Sequence, residues 1–146
     1  GSVFRTSDAF RVEKIVLCGI TAQPPHREIS RTALGATESV SWDYAEDTAD
    51  AIFMLINQGY SVWALEQAEG SINLQDFRPD VHTKYAFVFG NEVNGVDQKA
   101  LSLCQGCIEI PQFGTKHSMN VAVTAGILLW DVSCKMGAFT QIETKS

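Results

Sequence analysis

Glu92, Ser118 and Asn120 are the residues of this chain best placed by type and spacing to do chemistry. Each follows an apolar run that ends in Gly, Asn or Pro, at a point where a helix should begin. Phe87-Val-Phe-Gly-Asn-Glu-Val-Asn-Gly-Val96 has this grammar, and so has Ile108-Glu-Ile-Pro-Gln-Phe-Gly-Thr-Lys-His-Ser-Met-Asn-Val-Ala122. In open α/β sheets, ligands bind outside the carboxyl ends of the strands. Two strand ends loaded with Gly and Asn therefore suggest one pocket built from two loops. Gly90, Gly95 and Gly114 each allow positive φ or close approach of backbone to a ligand, which suits phosphate, adenosine or another flat group. Plainer readings stand beside these. Ser is a common helix N-cap, and Glu92 needs no explanation as a solvated loop charge. Asn120 is harder to dismiss, because Asn is a poor helix-interior residue and an apolar run follows it.

The elements that must position these residues alternate in type. Ser2 to Phe10 reads as the end of an amphipathic helix, and Lys14 to Gly19 as a buried strand. Pro24-Pro25 forbids regular helix around it, and Glu28 to Leu34 reads as a short helix closed by Gly35. Val40 to Tyr44 reads as extended. Thr48 looks like an N-cap with Glu46, Asp47 and Asp50 around the helix start. Ala49, Ile52, Phe53 and Ile56 recur at helical spacing, and Gly59 is a natural stop. Strands are expected at Tyr60–Leu65, Thr83–Phe89 and Cys107–Ile110, with helices at Asp97–Leu103 and Ser118–Lys135. Alternation of this kind implies a parallel sheet with helices on its faces. The last helix is apolar nearly all round, through Val121, Val123, Ile127, Leu128, Leu129, Trp130 and Val132. A surface helix should show one apolar stripe, so a helix of this kind predicts a homodimer.

With 146 residues, 45% of them apolar, the chain reads as one domain over 1–146 with a real core. No apolar run reaches membrane-spanning length and no leader is evident, so the expectation is a soluble cytoplasmic protein. A net charge of −6 argues mildly against coating nucleic acid by bulk charge, but leaves room for a local basic patch. Arg5, Arg11, Lys14, Arg27 and Arg31 all fall in the first quarter. Cys104-Gln-Gly-Cys107 has the spacing of half a zinc set, but nothing completes it, so reduced cysteines and no metal are expected. Neither the dinucleotide fingerprint nor the P-loop occurs.

Phe89-Gly-Asn-Glu-Val-Asn-Gly-Val96 resembles the second motif of the SpoU (TrmH-type) RNA methyltransferases of the SPOUT superfamily. Ile108-Glu-Ile-Pro-Gln-Phe-Gly114, with Ser118-Met-Asn-Val-Ala-Val-Thr-Ala-Gly126, resembles the third. Gly1-Ser-Val-Phe-Arg-Thr-Ser-Asp-Ala-Phe10 resembles the first, which in the family begins with an Asn two residues before this chain's Gly1. Three motifs in the right order, over essentially the whole chain, are strongly specific.

The resemblance implies an α/β fold, a parallel-type sheet flanked by helices with a deep C-terminal trefoil knot. It implies S-adenosylmethionine bound in that knot, a dimer whose site both subunits complete, and methyl transfer to a ribose 2′-hydroxyl of tRNA or rRNA. Carried over residue by residue, Arg5 matches the family's catalytic arginine, and Glu92, Ser118 and Asn120 its polar active-site positions. Gly90, Ile110 and Met119 match cofactor-loop positions, with Asn91, Gln112 and Gly114 in the same loops. Leu65 and Glu66 fall where the family places another cofactor loop. Arg5, Arg11, His26, Arg27 and Arg31 are the expected RNA-facing residues. A catalytically silent RNA-binding member and a SPOUT base methyltransferase are the alternatives, and the Ser-x-Asn signature argues for ribose.

Overall fold

The computed structural model describes residues 2–9, 14–18, 33, 35, 36, 40–90, 95–114 and 119–138. Its elements run α1 (Ser2–Ala9), β1 (Lys14–Cys18), β2 (Ser41–Ala45), α2 (Thr48–Asn57), β3 (Tyr60–Leu65), β4 (Ile72–Asn73), a 3-10 turn (Leu74–Asp76), β5 (Lys84–Phe89), α3 (Gln98–Leu103), β6 (Gly106–Glu109) and α4 (Val121–Lys135). β1 and β2 pair in parallel. The other four strands form a parallel sheet in the order β4-β6-β3-β5.

The alternation of side chains along β3 builds two cores, because successive residues of a strand face opposite sides of the sheet. Val62 and Ala64 point to one face, where they pack with Ile52 of α2, Ala100 of α3 and Val96. Trp63 and Leu65 point to the other face, toward Ile108, Leu74, Phe77 and the inner side of α4 at Leu128 and Val132. Helices thus cover both faces, as near-continuous apolar strands in parallel sheets require. Phe77 sits at the centre of an aromatic group on the α4 face, edge-on to Trp63, Tyr85 and Phe87 with ring centroids 5.1, 5.8 and 6.4 Å away. Such edge-to-face pairs add to simple area burial.

The expected boundaries hold closely, with four corrections. Helix α2 is capped by Asp47, whose carboxylate accepts from the Ala49 N–H at 2.8 Å, so Thr48 is the first helical residue and not the cap. Both residues are cap formers, and the Asp47 carboxylate, one position earlier, takes the bond. The stripe on α2 is narrower than its spacing suggests. Ala49, Ala51 and Ile52 are buried, whereas Phe53 and Ile56 are exposed. The strand β4 and the 3-10 turn after it lie where no element was expected. Finally, α4 starts at Val121 rather than Ser118, with Asn120 as its N-cap. The expected helix over 28–34 falls almost entirely outside the described residues.

Candidate functional site

The parallel register brings three strand ends together. Leu65, the last residue of β3, is the register partner of Phe89 on β5 and of Ile108 on β6. The segments that follow, at Glu66, Gly90 and Ile110, therefore leave the same edge of the sheet side by side. Leu65, Glu66, Gly90 and Ile110 are all half-buried, as expected of residues lining a cleft. The residue pattern joined the second and third of these segments, the family resemblance added the first, and the register sets all three side by side.

Gly90 and Gly95 make the second segment turn tightly. A Cβ on Gly90 would lie 2.2 Å from the carbonyl carbon of Gly95 and 2.4 Å from the Val96 nitrogen, so no side chain fits there. Gly95 has φ +68°, in the left-handed region that glycine alone enters without penalty. Of the three expected special glycines, Gly90 and Gly95 are thus required by geometry, though by contact with the chain itself, and Gly114 is not.

Glu66 reaches across this turn. Its carboxylate accepts from the Val96 N–H at 2.9 Å, while its own N–H donates to the Ile108 carbonyl at 3.1 Å. The segment it opens is fastened again at Ser71, whose hydroxyl donates to the Glu109 carboxylate at 3.2 Å.

The third segment is more open. Pro111, Gln112, Phe113 and Gly114 are exposed, with the Phe113 ring fully so, and a Cβ on Gly114 would meet nothing within 4 Å. Met119 is half-buried. Asn120 caps α4 through its side-chain oxygen, which accepts from the Ala122 N–H at 2.8 Å. That bond uses only the oxygen, and the amide NH2 keeps two donors for a ligand. Asn120 is thus positioned by the helix start and still chemically available. Glu92, Asn91 and Ser118 lie outside the described residues, as do Arg11, His26, Arg27 and Arg31.

Arg5 is exposed on α1, whose other side is anchored by buried Phe4 and Ser7. α1 packs against α4, and the Thr6 methyl lies 3.8 Å from the point where a Cβ on Gly126 would sit. The helix that carries Arg5 is therefore fixed to the helix that Asn120 begins.

None of the four cysteines forms a disulfide, and among the described residues no group of His, Cys, Asp and Glu is arranged to hold a metal. Burial pushes the Cys18, Cys104 and Cys107 thiols above their ordinary value of 9.0, and the neighbouring Glu66 charge adds to the effect at Cys107. The fold therefore holds these thiols neutral, whereas the unfolded chain ionises them near 9. Their contribution to stability is fully present below that pH and is lost as pH rises through the folded values. We expect the urea midpoint to fall between pH 8 and pH 10, and to fall less in a Cys104→Ser/Cys107→Ala double variant. An equal loss in both proteins would show that other groups govern the alkaline limb.

Comparison with known proteins agrees with this arrangement. The model of the SpoU rRNA methylase family matches residues 1–130. A tRNA (guanosine(18)-2′-O)-methyltransferase of Thermus thermophilus is 32% identical over 131 residues, covering 89% of this chain and 65% of that protein. The 23S rRNA (guanosine-2′-O-)-methyltransferase RlmB of Neisseria meningitidis is 29% identical, covering 88% of this chain and 50% of that protein. Among solved structures, the AdoMet-bound rRNA methyltransferase of Sinorhizobium meliloti superposes with a TM-score of 0.82 at 27% identity, over 91% of this chain and 50% of that one. The chain thus spans one half to about two thirds of the relatives it matches. A family model that covers nearly the whole chain, on a parallel sheet whose strand ends carry the matching motifs, places this protein in the SpoU rRNA methylase family.

Proposed function

We propose that this chain is the catalytic domain, over 1–146, of an S-adenosylmethionine-dependent methyltransferase acting on a ribose 2′-hydroxyl in tRNA or rRNA. The observation that carries the reading is the meeting of the Leu65, Gly90 and Ile110 segments at one edge of a parallel sheet, within a chain of this family. The residues present fit an adenosine-bearing cofactor. Leu65, Ile110 and Met119 offer half-buried apolar surface for a flat ring, and the strand ends offer backbone amides and carbonyls for its polar edge. When bound, the sulfonium supplies a methyl group already activated for transfer, so no metal is required.

The work of the protein is then alignment and charge stabilisation. An arginine guanidinium is a poor base at neutral pH. Arg5 therefore acts as an electrostatic partner of the developing alkoxide and of an adjacent phosphate, which its forked guanidinium can grip in bidentate fashion. The Asn120 amide NH2 orients substrate or the cofactor carboxylate, with Glu92 and Ser118 as its companions. Arg11, His26, Arg27 and Arg31 face the RNA. The requirement for a 2′-hydroxyl excludes DNA.

The protein acts as a homodimer in the cytoplasm. Val123, Ile127 and Trp130, spaced as one face of α4, are 53%, 38% and 55% exposed, opposite the buried stripe of Ala125, Leu128 and Val132. An apolar stripe of this kind on the outer face supports a second copy as its cover. The chain also takes the family's trefoil knot. Among the described residues no helix is long and apolar enough to cross a membrane.

Titration of S-adenosylmethionine against the protein, followed by transfer of labelled methyl to separated tRNA and rRNA, tests the reading. Binding with transfer to one fraction is expected. Binding of RNA without any transfer would favour a catalytically silent member, and failure to bind the cofactor would remove the reading.

A further inference from the structure

Glu66 lies at the cofactor edge, yet its carboxylate is turned toward the chain itself. We propose that Glu66 is a positioning residue, a latch that holds the Gly95–Val96 backbone against Gly90 at the cofactor edge rather than a group that touches the ligand. The inference rests on the reading of the site given above and assigns this residue its part in it.

Three observations meet at the latch. The Glu66 oxygen accepts the Val96 N–H at 2.9 Å, across thirty positions of sequence. The Gly95 backbone passes so close that a Cβ there would sit 2.8 and 3.0 Å from the two carboxylate oxygens. On its other side the same backbone fills the space of a Gly90 side chain, at 2.2 Å. The turn is therefore gripped from both sides, by Gly90 from below and by the carboxylate from Glu66. A half-buried carboxylate that accepts a backbone N–H forms a charge-assisted bond, stronger than a neutral one. It also gives the Val96 amide a partner, which a backbone donor near the core requires. Glu66 is itself held, because its N–H is bonded to Ile108 at the end of β6. The latch thus links all three strand ends.

Two variants test the latch. Glu66→Gln keeps a side-chain oxygen that accepts from Val96, whereas Glu66→Ala keeps none. In the protein without ligand, amide exchange at Val96 should speed up at least tenfold in Glu66→Ala and return to within about threefold of the parent in Glu66→Gln. The dissociation constant for S-adenosylmethionine should follow the same order, weakened about tenfold or more by Ala and largely restored by Gln. Unchanged Val96 exchange in Glu66→Ala would overturn the latch. So would cofactor binding lost equally in Ala and Gln with Val96 protected in both, because that pattern requires the charge itself at the ligand. Exchange that follows the predicted order in a protein that binds no S-adenosylmethionine would uphold the latch and remove the cofactor reading instead.

Discussion

Arg5→Ala lowers methyl transfer by about a hundredfold or more, while the dissociation constant for S-adenosylmethionine stays within about twofold of the parent. The expectation follows from where Arg5 sits. Phe4 is 2% and Ser7 3% exposed, and they fix α1 to the body of the protein; Arg5 leaves the opposite side, exposed. Among the described residues no strand-end segment is bonded to its side chain, so its loss should leave the cofactor edge intact. What disappears is a positive fork facing a negative charge that grows only as the hydroxyl oxygen attacks. Interactions realised in the transition state appear in kcat rather than in binding. Arg5→Lys keeps the charge but not the planar fork, so it should recover only part of the rate. Single-turnover transfer and cofactor titration on the same preparations check both points. Equal loss of cofactor binding and transfer would contradict the role.

Adjacent residues on α4 should give opposite results. Ile127→Glu leaves a folded chain that sediments as a monomer and transfers poorly. Leu128→Ala leaves the interface alone and lowers stability by about 2–5 kcal/mol. From sequence, a charge at either position is expected to break the dimer. The structure separates them, since Leu128 is fully buried against Ile108 and Phe77, whereas Ile127 is 38% exposed between Val123 and Trp130. A charge placed in an apolar contact between subunits has no partner to offset its desolvation. A charge at Leu128 would instead unfold the chain. Sedimentation of Ile127→Glu as a dimer would remove this stripe from the interface. A Leu128→Ala midpoint equal to that of the parent would remove that residue from the core.

Much of the framework was legible because it rests on local patterns. The Tyr60–Leu65 strand is an apolar run that begins after Gly59, and the structure keeps its limits. The parallel sheet flanked by helices follows from alternation alone, whereas the knot is implied only by the family resemblance. Legibility ends where the deciding partner is distant in sequence. Nothing local in Ile72-Asn73 marks a strand; those residues pair because β6 lies beside them. Phe77 gives no sign that Trp63, Tyr85 and Phe87 will close around it. Asn120 is conspicuous as a polar residue before an apolar run, but its cap bond to Ala122 is a matter of two residues' geometry. The resemblance puts Glu66 in a cofactor loop, but its partner is a backbone N–H that no side-chain pattern encodes. Sequence patterns thus located the edge at which the site forms, and tertiary contacts decided which of its residues hold that edge and which face outward.

The central claim is chemical, that the accepting atom is a ribose oxygen. It is tested most directly by incubating the protein with labelled S-adenosylmethionine and tRNA or rRNA from cells lacking the gene, digesting the RNA to nucleosides, and identifying the labelled one by mass. The account predicts a single nucleoside methylated at the 2′-oxygen, with label lowered about a hundredfold or more when Arg5→Ala is used. A label carried on a base would contradict the account, keeping the fold and the cofactor edge but overturning the parts assigned to Arg5 and Asn120.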